Sequence, residues 1–237
     1  KFGLIRGAPR FPSLRAEGQP GGGHDVELPF IGRPLFLQFK LSHYLWRSNA
    51  SEWDLYGRPY YRIYLRPLRH SKQHNLLIDL EQGGNDVYYV APEFYAIEEL
   101  DEYYSTYTVS DHSSFFSPLE IGGLPDDDYH YLTFITSDNY YDLHSNQFSE
   151  KRRRFSKVDL VERLSTRLQQ QPFELDNKYF HNLANKLIMI LSEYIGDEKR
   201  VVALKNQIQK RELAMEKARF VSYLARTYID AEFIILS

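Results

Sequence analysis

Three side chains within one short stretch have the types and spacing to act on a phosphate ester. Asp25 is followed thirteen residues later by Gln38, and Lys40 stands two residues beyond that. If two neighbouring strands carry them, a carboxylate, an amide oxygen and an ammonium meet at one end of a sheet. Magnesium takes hard oxygen donors from a few protein groups and completes its shell with water and substrate phosphate; Asp25 and the Gln38 side-chain oxygen can supply two. The Lys40 ammonium can orient or help deprotonate an attacking water and offset charge on a pentacovalent phosphate. A structural account exists beside this one. Asp25 follows three glycines and can bond turn amides, while Gln38 and Lys40 can line a solvated strand face. The chemical account gains from the setting of Gln38 among Leu35, Phe36, Leu37 and Phe39, because a buried amide demands partners.

The elements that must position these groups are two strands. One starts at His24 or Asp25 and runs through DVELPF; the other is PLFLQFKLS, after a short turn around Ile31 to Pro34. In the second strand Leu35, Leu37, Phe39 and Leu41 share one parity and form the core face, with Phe36, Gln38, Lys40 and Ser42 on the other. YYRIYLR at 60–66 reads as a further strand. Ser71 reads as the cap of a helix KQHNLLIDLEQ, stopped by Gly83 and Gly84, and DVYYVAP follows as a strand. A helix over 95–107 and a strand over 129–136 complete an α/β or α+β order.

Beyond residue 155 the apolar period becomes helical. Ser156 and Asp159 resemble a capping box ahead of the stripe Val158, Leu160, Val161, Leu164 and Leu168. Pro172 separates this helix from a second over 174–194, which Gly196 ends. A third pattern over 197–229 is long enough that it must break or reach across a partner. Residues 1–150 thus read as an α/β domain and 151–237 as a helical extension. Their charges differ too: 12 Lys/Arg against 21 Asp/Glu before residue 151, and 17 against 11 after it, within a net charge of -3.

At 237 residues with 43% apolar and 26% charged side chains, the chain can bury a sizeable core, which excludes wholesale disorder and fibrous repeats. Zero Cys excludes disulfides, thiolate metal sites and a cysteine nucleophile, and fits a reducing cytoplasm as the expected location. The start KFGLIRGAPRF lacks the pattern of a secretory signal, and no apolar run is long enough for a membrane span. Tyr is unusually frequent at 19 residues, suiting half-buried sheet faces.

With its Asp, then Gln-x-Lys, the segment GGHDVELPFIGRPLFLQFKLS resembles the catalytic hairpin of the restriction-endonuclease-like superfamily, in the variants where Gln replaces the acidic residue before lysine. The match is local to residues 22–42, and QHNLLIDLEQGGNDVYYVAP is compatible with the helix and strand that follow that hairpin. The resemblance implies a mixed central sheet flanked by helices, magnesium with manganese as a substitute, and cleavage of DNA in restriction or antiphage defence. Many members place another acidic ligand on a helix upstream of the Asp. Here the acid lies before Lys1, or Glu17 takes its place, or the site has fewer ligands.

Other residues carry weaker chemistry. His43 closely follows the Gln-x-Lys strand and can touch nucleic acid. Lys151, Arg152, Arg153 and Arg154 can contact phosphates, although solvated charge before a helix is the commoner use. His24 points away from Asp25 on a strand. His70 and His74 lack the pattern of a zinc pair, Ser42 and Ser110 lack a nucleophile setting, and Asp126 to Asp128 lack calcium-loop spacing. Neither nucleotide-binding glycine motif is present. The C-terminal helices are expected to bundle, or to join a second copy or a partner protein.

Overall fold

Two sheets organise the residues that the computed structural model describes, 30–67, 72–124, 127–145 and 149–237. Along the chain come β1 (Phe30–Phe39), β2 (His43–Leu45), α1 (Trp53–Tyr56), β3 (Tyr60–Leu65), α2 (Gln73–Gln82), β4 (Asp86–Pro92), α3 (Ile97–Ser105), β5 (Ser113–Phe116) and α4 (Pro118–Ile121). Then follow β6 (His130–Phe134), β7 (Tyr140–His144), β8 (Ser149–Arg153), α5 (Lys157–Gln170), β9 (Phe173–Leu175), α6 (Asn177–Ile195), α7 (Glu198–Gln209), α8 (Ala214–Tyr228) and β10 (Glu232–Leu236). The class is mixed α/β, as the sequence suggests. Among the described residues no helix is long and apolar enough to cross a membrane.

The first sheet has the order β10-β1-β4-β5, with β9 also on β1. β1 and β4 run parallel, from Leu35 beside Asp86 to Phe39 beside Val90. β10 and β9 lie antiparallel on the opposite edge, β10 over Arg33 to Leu37 and β9 over Phe30 to Gly32. Leu35, Leu37, Tyr88 and Val90 pack with Leu160 and Leu164 of α5. On the opposite face Phe36, Val87, Tyr89 and Ala91 share a core with α2, α6 and α8, among them Leu77, Leu187 and Phe220. Helices therefore cover both faces, the arrangement that parallel pairing demands because neither face can be left to water.

Two expectations about β1 change. The segment Ile31 to Pro34 is not a turn but part of a continuous strand. Gly32 is there for close approach: a Cβ at this position would stand 2.5 Å from the Leu236 carbonyl oxygen and 2.8 Å from Leu175 Cδ1, so only glycine lets β9 and β10 meet on one edge. The expected core parity also fails at its far end, where Phe39 is 61% and Leu41 86% exposed. Pairing with β10 stops at Leu37, and the chain beyond runs off the rim of the sheet.

The second sheet is antiparallel, β2-β3-β6-β7-β8. Its inner side chains, including Tyr61, Ile63, Leu132, Phe134 and Tyr141, join the same core as Phe36 and Val87, and Phe116 of β5 meets Phe134 and Tyr141 at ring separations of 5.3 and 5.2 Å. Residue 150 falls inside β8, and the C-terminal segment contributes β10 to the first sheet. The helices after Ser156 and the strands before it share that core.

The expected helix after residue 71, the strand after it and the helix after Ser156 are all present, although Ser71 itself lies outside the described residues. Ser156 Oγ accepts from the Asp159 amide, and the Asp159 carboxylate accepts from the Ser156 amide, closing the capping box. The long third pattern is broken into α7 and α8, because the Glu216 carboxylate accepts from the Glu212 and Leu213 amides and so begins a new helix.

Candidate active site

Gln38 and Lys40 lie where β1 passes the carboxyl end of its parallel pairing with β4. Gln38 sits beside Tyr89 in the register, so both side chains point toward α2 and α8. The Lys40 amide donates to the Val90 carbonyl at 2.8 Å, which extends the strand geometry by one residue and keeps Lys40 on the Gln38 side. The carboxyl ends of parallel strands are where α/β sheets leave crevices for ligands.

Gln38 is 1% exposed. Its Nε2 donates to the Ile229 carbonyl at 3.2 Å, and that carbonyl also accepts from Gln73 Nε2 at 2.8 Å. Its Oε1 has no hydrogen-bond partner among the described residues, and neither does the Ser42 hydroxyl on the same parity. The Ile229 carbonyl belongs to the turn between α8 and β10. Asp230 in that turn has φ +51, a left-handed conformation that Asp tolerates better than most side chains.

The Lys40 amine lies over the Tyr89 ring, 5.1 Å from its centroid, and forms no ion pair among the described residues. Burial, followed by the nearby Arg66 charge, holds its pKa down to about 8, against an upward pull from Asp230. With its pKa brought down to about 8, the amine loses its proton far closer to neutral pH than an ordinary lysine does. Beneath it, Tyr89 is 1% exposed and its hydroxyl meets His74 Nδ1 at 2.8 Å, while His74 Nε2 meets the Gly122 carbonyl at 2.8 Å. Burial lowers the His74 pKa to about 4.

Asp25, Glu17 and His24 lie outside the described residues, as does His70. The expected two-strand hairpin is corrected: β10 and β9 occupy the edge of β1 opposite β4 over residues 30–37, so no strand hairpin turns at Ile31 to Pro34. As for a metal, Gln38 Oε1 fits as one hard oxygen donor, since it is buried and lacks a partner. Among the described residues no group of three His, Cys, Asp or Glu could hold an ion; the other expected donors, Asp25 and Glu17, lie outside the described residues.

The other expected contacts are dispersed. His43 is exposed on β2, opposite Arg62 and edge-on to Tyr64 at 5.5 Å. Lys151 to Arg153 belong to β8 rather than to a loop before a helix, and alternation sends them to different sides. Lys151 and Arg153 are 56% and 59% exposed, paired with Asp138 at 3.1 Å and Asp159 at 2.9 Å. Arg152 pairs with Glu150 at 2.5 Å and donates to the Glu120 and Ile121 carbonyls. Arg154 is 3% exposed and bonds Glu93, Ser114 and the carbonyls of Ile135, Thr136 and Asp138. It is a clamp between the sheets and is withdrawn from any surface a phosphate could reach.

Sequence reading did not find Tyr89, Gln73 or the Ile229–Asp230 turn as neighbours of Lys40. For Tyr89 a signal existed, because it shares parity with Val87 and Ala91 on the strand after the Gln-x-Lys segment. The chain matches no family model, no curated protein and no solved structure.

Proposed function

We propose that this chain hydrolyses phosphodiesters with a divalent metal, and that its substrate is DNA, cut in restriction or antiphage defence. The observation that carries this reading is a pair of polar groups on one strand face: Gln38 Oε1, buried with no hydrogen-bond partner among the described residues, and two residues away the half-buried Lys40 amine, which lies over the Tyr89 ring and has no carboxylate paired to it among the described residues. Buried polar groups in folded proteins are mostly partnered, by protein, ordered water, an ion or a ligand, and the position of Gln38 next to Lys40 favours the last two. Gln38 Oε1 and the Asp25 carboxylate, with Glu17 as a further donor, would hold magnesium. When bound, the metal supplies charge neutralisation at the phosphate and an acidified water. The Lys40 amine, whose pKa is brought down to about 8, orients that water and, in its neutral form, takes its proton. Support for a restriction-endonuclease-like arrangement comes from the mixed sheet and from α2 leading into β4, the parallel neighbour of the Gln-x-Lys strand.

Lys151, Arg153 and His43 are the exposed candidates for contact with the nucleic-acid backbone, and exposed Met189 and Val202 on α6 and α7 give a second copy or partner protein apolar surface to meet. A noncatalytic reading, in which the fold serves only binding, gains from the Gln38 amide being tied to the Ile229 carbonyl. Incubation of circular and linear DNA with magnesium, manganese or chelator separates the two. The expected result is metal-dependent cutting that falls by at least about 100-fold in Lys40→Ala and Asp25→Ala while both variants stay folded. Cutting that survives both substitutions removes these residues from the mechanism.

A further inference from the structure

We propose that Tyr89 and His74 are positioning residues for Lys40: the Tyr89 ring sets where the amine lies, and His74, held at both ring nitrogens, sets where the Tyr89 ring lies. For its consequence in cleavage this rests on the reading of Lys40 given above, but the placement itself does not.

The geometry makes a chain of three side chains, Lys40 just beyond the end of β1, Tyr89 on β4 and His74 on α2. Gly122 has φ +76 and directs its carbonyl at His74 Nε2. A carbonyl only accepts, so Nε2 carries the hydrogen. In a neutral imidazole Nδ1 is then the acceptor, and it takes the hydroxyl hydrogen of Tyr89. The His74 and Tyr89 rings are nearly parallel, 9° apart with centroids at 5.9 Å, and with 3% and 1% exposure neither can swing into water. The first hydrogen bond fixes the imidazole; the second holds the hydroxyl end of the phenol, and the close packing around the buried ring, with the imidazole nearly parallel to it, fixes its turn. The Tyr89 ring face then forms a seat for the Lys40 ammonium, an attraction that is strengthened where water is partly excluded.

A flexible four-carbon side chain at the end of a strand has many rotamers, and restricting them matters for reaction rate rather than for binding. Misplacing a working group by about 1 Å can cost about 100-fold. Gln38 beside Tyr89 in the register ties this support to the oxygen donor as well. If Tyr89 and His74 were only core filling, removing the His74 contact would lower stability and leave Lys40 where it is.

The test uses lysine labelled with carbon-13 in the full chain, with the Lys40 signal assigned by its absence in Lys40→Arg. A methylene held over a ring face resonates upfield of solvent-exposed lysines. We expect that displacement in the wild type, its loss in Tyr89→Leu, and its partial reduction in both Tyr89→Phe, which keeps the ring but loses the hydroxyl, and His74→Leu. In the cleavage assay Tyr89→Leu should lower kcat by about tenfold or more at unchanged KM, with Tyr89→Phe, which keeps the ring face, and His74→Leu falling less and by similar amounts. If Tyr89→Leu does not fold, Tyr89→Met fills the same volume without a ring. A Lys40 signal that is unshifted in the wild type, or unmoved by loss of the ring, overturns the proposal; one unmoved by His74→Leu overturns the part given to His74. Should the wild type fail to cut DNA while the signals move as expected, the positioning stands and the nuclease reading falls by itself.

Discussion

Gln38 is held in place at a cost. A buried amide oxygen with no partner among the described residues forfeits about 1–3 kcal/mol of solvation, and among those residues its Nε2 bonds only a carbonyl that Gln73 already satisfies. Replacement by Met keeps the length and shape of the side chain while removing both polar atoms. Gln38→Met should therefore stabilise the fold by about 1 kcal/mol, equivalent to about 2–4 °C in Tm at this chain length, and should abolish metal-dependent cutting. Chemical denaturation monitored by circular dichroism reads the first and the DNA assay reads the second. A destabilisation of similar size would mean that Oε1 has a partner in the folded chain, and the principal support for a metal at this position would be gone.

Among elements, the opposite end of β1 has the reverse character, because its buried charges are paired. Asp86 on β4 is fully buried and receives Arg33 of β1 at 2.8 Å and Arg167 of α5 at 2.5 Å, and Arg33 also donates to the Gly84 and Gln171 carbonyls. Asp86→Ala leaves the 1% exposed Arg33 guanidinium without its anion and should destabilise by about 3–5 kcal/mol, measurable as a shift in urea midpoint at constant m-value. A loss below about 1 kcal/mol would show that the pair is not what holds β1, β4 and α5 in register. Much at this scale was legible in the sequence: α2, β4 and the Ser156 cap follow from local pattern, and the apolar neighbours of Gln38 foretold its burial. Contacts of long sequence separation were not. Gly32 reads as a turn until β9 and β10, some 140 to 200 residues later, are known to crowd it, and the Ile229 carbonyl that meets Gln38 is unreadable because it depends on a break between α8 and β10. The place of Asp25 beside Gln38 and Lys40 remains the expectation drawn from spacing.

At the scale of the whole molecule, buried imidazoles tie stability to pH. Burial lowers the pKa of His74 to about 4, with the Lys40 and His130 charges acting in the same sense against the hydrogen bond to Gly122, and burial also lowers that of His144. For a histidine whose folded pKa lies below its unfolded value, the unfolded chain binds the proton first. Its contribution is present above about pH 6.5 and is lost as pH falls toward 4. His74 alone can account for up to about 3 kcal/mol across that window, a large part of the roughly 5–15 kcal/mol typical of a domain. Glu52 and Asp159, whose pKa values are lowered by hydrogen bonds and neighbouring cations despite the opposing effect of burial, lose their contributions only at lower pH, below the ordinary carboxylate range. The histidine window therefore opens first. Urea unfolding at pH 7.0, 5.5 and 4.5 should show stability falling over the first step, before those carboxylates titrate, and His74→Gln should flatten that fall. Stability unchanged between pH 7.0 and 5.5 would contradict a neutral, enclosed His74. The coupling also has a direction for function: protonation of His74 places a hydrogen on Nδ1, where the Tyr89 hydroxyl now donates, so acid that weakens the fold also disturbs the support beneath Lys40.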